Sequence, residues 1–175
     1  MPSKAISGTP AAGEIIPFHL RFLEMFPGDD IAGELVHLTR EAMEVLASIP
    51  PEKETFRYAP GKWSVREMVG HVSDTERILC VRLLAASRGD LGNLPGFDEN
   101  LYSANSGHDG MPLADLVEEF TLVRKSTMAL LAKLDHDQWR RTTLIRGFRL
   151  SARGMAWSIA GHSTHHIRFL REHYL

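Results

Sequence analysis

The stretch Gly161-His-Ser-Thr-His-His166 falls on a helix face that should carry apolar core residues. The residues of this face are Met155, Ile159, His162, His166 and Phe169. Their spacing of i, i+4, i+7, i+11 and i+14 predicts one helix turned towards a core. A buried polar group without a partner costs about 1–3 kcal/mol. Two imidazoles on this face therefore need something to bind them.

A divalent metal ion is the partner that the spacing favours. His162 and His166 lie one helical turn apart, so that both rings reach one ion. His71 interrupts the apolar face of an earlier predicted helix in the same way. Three histidine ligands with an open fourth position are typical of a catalytic zinc-type site. All-imidazole ligation suits zinc, nickel, copper or iron, and core histidines with ordinary partners remain the alternative on spacing alone.

Apolar periodicity elsewhere predicts three more amphipathic helices, and four such helices indicate an all-α fold, a four-helix bundle. The predicted helices are 31–49, 64–89, 112–134 and 151–173. The second begins with a capping box, Ser64-Val-Arg-Glu67, and Ser151 caps the fourth. Pro50-Pro51 ends the first helix.

The remaining segments divide the chain into a flexible N-terminus, residues 1–14, and a single domain, residues 15–175. A long connection between helices two and three, 90–111, is rich in Gly, Asn, Asp and Pro. Loops of this length in a compact domain are usually functional or disordered. The segment 142–150 predicts a small hairpin around Arg146-Gly147.

Composition excludes several classes of function. The 175 residues carry a net charge of −2, which argues against nucleic acid or an anionic membrane as partner. The single cysteine excludes an internal disulfide framework and a cysteine-type zinc site. No apolar run reaches the ~18 residues of a membrane-spanning helix, and no signal peptide is evident. We therefore expect a cytoplasmic protein.

Two metalloprotein classes do not fit the histidine pattern. The residues between His162 and His166 include no glutamate, which a zinc-protease helix requires. A ferritin-like di-iron site needs two Glu-x-x-His units, and only Glu34-Leu-Val-His37 is of this kind. His165 is expected to face a neighbour or solvent. The histidines expected on the surface or in loops are His19, His37, His108, His136 and His173.

Four stretches of the sequence are similar to the DinB-like, YfiT-like family of four-helix metalloproteins. They are Tyr58-Ala-Pro-Gly-Lys-Trp-Ser-Val-Arg-Glu67, Gly70-His-Val-Ser-Asp-Thr-Glu-Arg77, Leu94-Pro-Gly-Phe-Asp98 and Gly161-His-Ser-Thr-His-His166. The resemblance extends from about residue 22 to residue 175 and implies a bundle, often dimeric, that binds one divalent metal. It places the ligands at His71, His162 and His166. We rank zinc or nickel ahead of iron, manganese and copper.

The resemblance implies two kinds of chemistry. Some relatives are transferases or isomerases that use bacillithiol, mycothiol or glutathione, and others are described as hydrolases. We expect a metal-dependent thiol S-transferase that takes a small-molecule thiol and an electrophile. A metal-dependent hydrolase and a non-enzymatic, metal-stabilised stress-response protein are the alternatives, so whether the chain is an enzyme stays open.

Supporting roles fall to a few charged residues. Asp98, in the long connection, is the candidate catalytic residue, with a simple turn residue as the alternative. Asp74 and Glu76 are candidates to orient the ligand imidazoles or to act as a base. For Arg82 and Arg124 a solvated or salt-bridged surface role is expected, and reception of an anionic substrate is the alternative. Apolar residues off the main stripe, Trp157 and Leu170, weakly support a homodimer.

Overall fold

The computed structural model describes residues 7–26 and 28–175. The α-helices of this part are α1 Arg21–Met25, α2 Ile31–Ala47, α3 Val65–Arg88, α4 Glu99–Ser106, α5 Leu113–Leu131, α6 His136–Arg140 and α7 Ala152–His173. The strands are β1 Asn93–Leu94, β2 Thr142–Ile145 and β3 Phe148–Ser151. The long helices α2, α3, α5 and α7 confirm the predicted four-helix bundle. None of these helices combines the length and apolar content needed to cross a bilayer.

In the bundle α2 lies diagonally opposite α3, and α5 lies diagonally opposite α7. Helix α3 packs against α7 and α5, and α2 packs against the same two helices. The core between them includes Trp157 and Leu170, which have no exposed surface. A second copy of the chain therefore cannot contact these two residues. The expectation that they support a homodimer is wrong. The homodimer itself stays a prediction.

The helix ends follow the capping signals in the sequence. The Ser64 Oγ accepts from the Glu67 amide at 3.1 Å, and a Glu67 carboxylate oxygen accepts from the Ser64 amide at 2.8 Å. Gly89 ends α3 with φ 77°, a left-handed conformation that glycine adopts without strain. The Ser151 Oγ accepts from the Gly154 amide at 3.0 Å and begins α7. Both predicted helix starts are confirmed.

The long connection between α3 and α5 is more ordered than its composition suggests. It contains β1, α4 and a 3-10 helix, His108–Gly110. Strand β1 pairs in parallel with β2, which pairs antiparallel with β3. The predicted hairpin is confirmed, and its turn has positive φ at Arg146 (50°) and Gly147 (83°), as a two-residue type I′ turn requires. Elements this short leave no periodic pattern, which is why the sequence predicts only a loop.

Part of the predicted flexible N-terminus lies against the bundle. Residues 1–6 are outside the described residues. The Ser7 hydroxyl donates to the Asp29 carbonyl at 2.7 Å. The Arg153 guanidinium donates to both carboxylate oxygens of Glu14, at 3.1 and 2.6 Å. These contacts join residues 7–14 to the start of α2 and to α7.

A buried ion pair joins three helices of the bundle. The Arg124 Nε donates to Glu76 Oε1 at 2.8 Å, and Arg124 Nη2 donates to Oε2 at 2.8 Å. A third nitrogen, Nη1, donates to Thr39 Oγ1 at 3.0 Å. Both charged side chains are only 2% exposed. Glu76 therefore does not orient a ligand imidazole, which corrects that expectation. Arg124 forms a salt bridge, as expected, but in the core and not on the surface.

We predict that Glu76→Gln lowers the free energy of unfolding by about 3–5 kcal/mol, because Arg124 then keeps a buried charge without its counter-ion. The double variant Glu76→Met/Arg124→Met should be more stable than the single variant, since it removes both charges. Urea unfolding followed by circular dichroism measures the difference.

The matched control for this prediction is Glu41→Gln. Glu41 forms an exposed pair with Arg171 at 3.5 Å, and its loss should cost less than about 1 kcal/mol. Equal stability of Glu76→Gln and Glu41→Gln would contradict the role assigned to the buried pair.

Candidate metal centre

The packing of α3 against α7 brings three histidines together. His71 comes from α3, and His162 and His166 come from α7. One nitrogen from each ring lies within 4.8 Å of the other two. The Nε2 atoms of His71 and His162 are 3.0 Å apart. The one-turn spacing on α7 and the interruption on α3, seen in the sequence, thus lead to a single cluster.

Two glycines allow neighbouring rings to approach the cluster. A Cβ at Gly70, immediately before His71, would lie 2.1 Å from His108 Nδ1. A Cβ at Gly161, immediately before His162, would lie 2.0 Å from Phe22 Cγ. Any side chain at either position would displace a packed ring, so both helices carry glycine next to a cluster histidine.

The surroundings of the histidines orient their rings. His166 Nδ1 lies 3.0 Å from the Met68 sulfur, which leaves Nε2 as the nitrogen available to the cluster. The Trp63 ring packs on His71 with a centroid distance of 4.5 Å. The Tyr174 hydroxyl donates to the Trp63 carbonyl at 2.7 Å and holds this residue in place. The rings are thus positioned before any ion binds.

Burial keeps the three imidazoles neutral at pH 7. Desolvation, with smaller contributions from neighbouring histidines, lowers the pKa of His71 to about 4 and that of His166 to about 3. The same causes hold the pKa of His162 well below its ordinary value. Neutral imidazole is the form that coordinates a metal ion. Protons therefore do not compete for these nitrogens at neutral pH.

The donor set fits a divalent ion of the zinc type. Tetrahedral zinc with bonds of about 2.0–2.1 Å holds two ligand nitrogens about 3.3 Å apart. His71 and His162 already lie close to this separation, at 3.0 Å. No cysteine or carboxylate belongs to the group among the described residues. Three nitrogens leave at least one coordination position for another molecule.

A cavity of about 340 Å³ opens beside the three histidines. Its wall also includes His19, Thr75, Arg82, Phe97, Glu99 and His165. A single water molecule occupies about 30 Å³ of liquid, so the cavity has room for a small organic molecule next to the cluster.

Two histidines expected on the surface lie near the cluster instead. His19 lines the cavity, its Nδ1 has no partner among the described residues, and burial lowers its pKa to about 4. His108 is 7% exposed, and its Nε2 lies 3.9 Å from a carboxylate oxygen of Asp74. Both belong to short 3-10 helices that show no apolar periodicity. His37, His136 and His173 are exposed, as predicted.

The carboxylates named from the sequence lie away from the cavity wall. Asp98 is exposed and begins α4, where one of its oxygens accepts from the amides of Asn100 and Leu101 at 2.9 and 3.0 Å. Asp74 forms an ion pair with Arg77 at 3.2 Å. The residue after Asp98, Glu99, lines the cavity. Loop composition alone does not indicate which of two adjacent acids lines the cavity.

The sequence profile of the DinB superfamily matches residues 34–170, which include all three cluster histidines. The chain belongs to the DinB superfamily. This confirms the resemblance found in the sequence.

Two relatives of this chain have related descriptions. A protein of Oceanobacillus iheyensis, named as a proposed metal-dependent hydrolase, is 21% identical over 135 residues, which cover 76% of this chain and 77% of the relative. The structure of YfiT from Bacillus subtilis superposes with a TM-score of 0.71 at 18% identity over 82% of this chain and 83% of YfiT. YfiT is described as a probable metal-dependent hydrolase with an unusual four-helix bundle topology. This likeness establishes the shared fold.

We predict one divalent ion per chain, and a loss of affinity above about 100-fold in His71→Ala, His162→Ala and His166→Ala, because each removes a ligand atom. His136→Ala is the matched control, since this exposed histidine lies outside the cluster. Elemental analysis after dialysis against limiting zinc or nickel measures occupancy. Full occupancy in His162→Ala would disprove the assignment.

We predict that the metal-free protein loses stability as the pH falls from about 6.5 towards 4. Folding lowers the pKa of His71 from 6.5 to about 4, so the unfolded chain takes up this proton first. The stability contribution is complete above pH 6.5, and it declines by on the order of 1 kcal/mol per pH unit for each such histidine.

Urea unfolding of chelator-treated protein across this pH range measures the slope. It should be shallower in His71→Asn and unchanged in His136→Asn, the exposed control. A wild-type slope retained by His71→Asn would contradict the role given to burial of this ring.

Proposed function

We propose that this DinB superfamily protein is a metal-dependent hydrolase of a small organic substrate. The observation that carries the proposal is the cluster of three neutral imidazoles in the wall of an open cavity, without a fourth ligand among the described residues. A closed structural site would fill all four positions with protein atoms. The descriptions of the two relatives point to the same reaction class.

Different residues of the chain would bind the metal, line the cavity and transfer the proton in such a reaction. His71, His162 and His166 hold the ion, and a bound divalent ion supplies a water or thiol of lowered pKa and a positive charge for a substrate oxygen. Trp63 and Phe97 supply aromatic surface to the cavity wall. Glu99 belongs to the same wall. We assign it to accept the proton of the attacking nucleophile and to pass it to the leaving group.

Thiol transfer is the second candidate. The size of the cavity favours it, because about 340 Å³ accommodates more than a water and a small ester. A low-molecular-weight thiol of the bacillithiol, mycothiol or glutathione type would then occupy the open position and attack an electrophile. Zinc and nickel remain the proposed ions, since both accept imidazole ligands.

We predict that Glu99→Gln lowers kcat by about 10²–10⁴-fold, because the amide cannot accept a proton. The matched control is Asp98→Asn, which keeps a good helix-capping residue outside the cavity and should retain activity. The assay follows hydrolysis of p-nitrophenyl esters by zinc-loaded protein. If Asp98→Asn lowered kcat more than Glu99→Gln did, Asp98 and not Glu99 would be the residue that accepts the proton.

A cobalt-substituted sample separates the two candidate reactions. Thiolate bound to cobalt produces an intense charge-transfer band, whereas hydrolysis needs no added thiol. A new band together with thiol-dependent turnover would favour transfer, and ester turnover without thiol would favour hydrolysis. A cobalt spectrum insensitive to thiols and anions would contradict both and favour a structural metal.

A further inference from the structure

The cavity continues along one face of α3, away from the metal cluster. Thr75 lies one turn after His71, and Arg82 lies about two turns further. All three side chains line the same cavity. The helix therefore presents a metal ligand, a hydroxyl group and a guanidinium in sequence along one wall.

Arg82 is a buried cation that has no counter-ion in the part of the chain that the structure describes. It is 6% exposed, and desolvation lowers its pKa. Its Nη2 donates to the Pro95 carbonyl at 2.9 Å, and its Cζ lies 5.8 Å from the centre of the Phe97 ring. Arg124, which is buried slightly more deeply, differs in having a carboxylate partner, Glu76. A guanidinium carries five N–H donors, so Arg82 can still bind a bidentate oxyanion.

Thr75 adds a second buried polar group to the same wall. The side chain is 4% exposed, and its Oγ1 has no hydrogen-bond partner among the described residues. An unsatisfied buried hydroxyl is destabilising by about 1–3 kcal/mol. Thr75 lies between His71 and Arg82 on α3, so a polar atom in the middle of a substrate that reached this hydroxyl would satisfy it.

The other charges of the wall do not neutralise Arg82. Glu99 also lines the cavity, but it is exposed, and water and salt screen exposed charges much more than buried ones. Arg21, a second lining cation, adds to the positive potential. With a divalent ion and neutral imidazoles, the cavity attracts anions.

We infer that the substrate is a small molecule with an anionic oxyacid group, a carboxylate or a phosphate, at the end remote from the reacting atom. The inference rests on the proposed function and adds a substrate class to it. Arg82 binds the oxyanion, Thr75 donates to an atom along the chain, and the reacting group sits at the metal. Arg82 is thus a specificity-determining residue.

The geometry also sets the length of such a substrate. His71 and Arg82 are eleven residues apart, about 16 Å along the helix axis. Long side chains on a helix lean towards its N-terminus, so the guanidinium lies nearer to the cluster than its Cα does. The oxyanion and the reacting group should therefore be separated by a chain of several bonds.

The test uses ω-carboxy alkyl hydroxamates, whose hydroxamate binds the metal, and their methyl esters as neutral counterparts. Calorimetry on zinc-loaded protein should show the acid binding at least about tenfold more tightly than its ester at one preferred chain length. Arg82→Met should abolish this preference and leave the affinity of the ester unchanged. Arg82→Lys should restore part of it. Phosphonate analogues of the preferred length distinguish the two oxyacids.

Arg88→Met is the matched control, because Arg88 is an exposed arginine at the end of the same helix. It should keep the full preference for the acid. If Arg82→Met fails to fold, Thr75→Val and the dependence of wild-type affinity on chain length test the inference. Thr75→Val should weaken the binding of acid and ester alike by a few-fold.

The outcomes separate this inference from the proposed function. Hydroxamates that bind with no preference for the acid at any length would overturn the inference and leave the metal site intact. Absence of binding by every hydroxamate would overturn the proposed metal chemistry, and the substrate class with it. A preference for the acid retained by Arg82→Met would remove Arg82 from its role.

Discussion

The contact between α3 and α7 is the constraint on which the rest of the molecule depends. It buries His71, His162 and His166 together, and the loss of water makes the charged imidazoles unfavourable. The contact also needs glycine at positions 70 and 161, where His108 and Phe22 press against the helices. The same packing that stabilises the bundle therefore creates a group of neutral nitrogen ligands.

Two buried arginines show how the fold separates stability from recognition. Arg124 donates to both carboxylate oxygens of Glu76 and to the Thr39 hydroxyl, and these bonds join α3, α5 and α2. Arg82 is almost as deeply buried, yet its described contacts are a carbonyl and an aromatic ring. A desolvated charge is tolerated in a native protein when it has a partner. The partner of Arg124 is within the chain, and we assign that of Arg82 to the substrate.

The short elements around the bundle complete the cavity. The segment Pro17–His19 supplies His19, the start of α4 supplies Glu99, and the preceding loop supplies Phe97. None of these residues belongs to a long helix. Loops and short helices held on a rigid bundle commonly carry recognition and catalysis, and here they surround a cluster that the long helices hold in place.

The sequence by itself determined the four long helices, their caps and the histidines that interrupt their apolar faces, because these depend on periodicity and on local hydrogen bonds. It also indicated the superfamily through short motifs. Only the tertiary structure decided which charged residues meet: it paired Glu76 with Arg124, turned Asp98 away from the cavity, and brought His19 and Glu99 into it. These contacts join residues far apart in the chain or on elements too short for a periodic signal, so no local pattern encodes them.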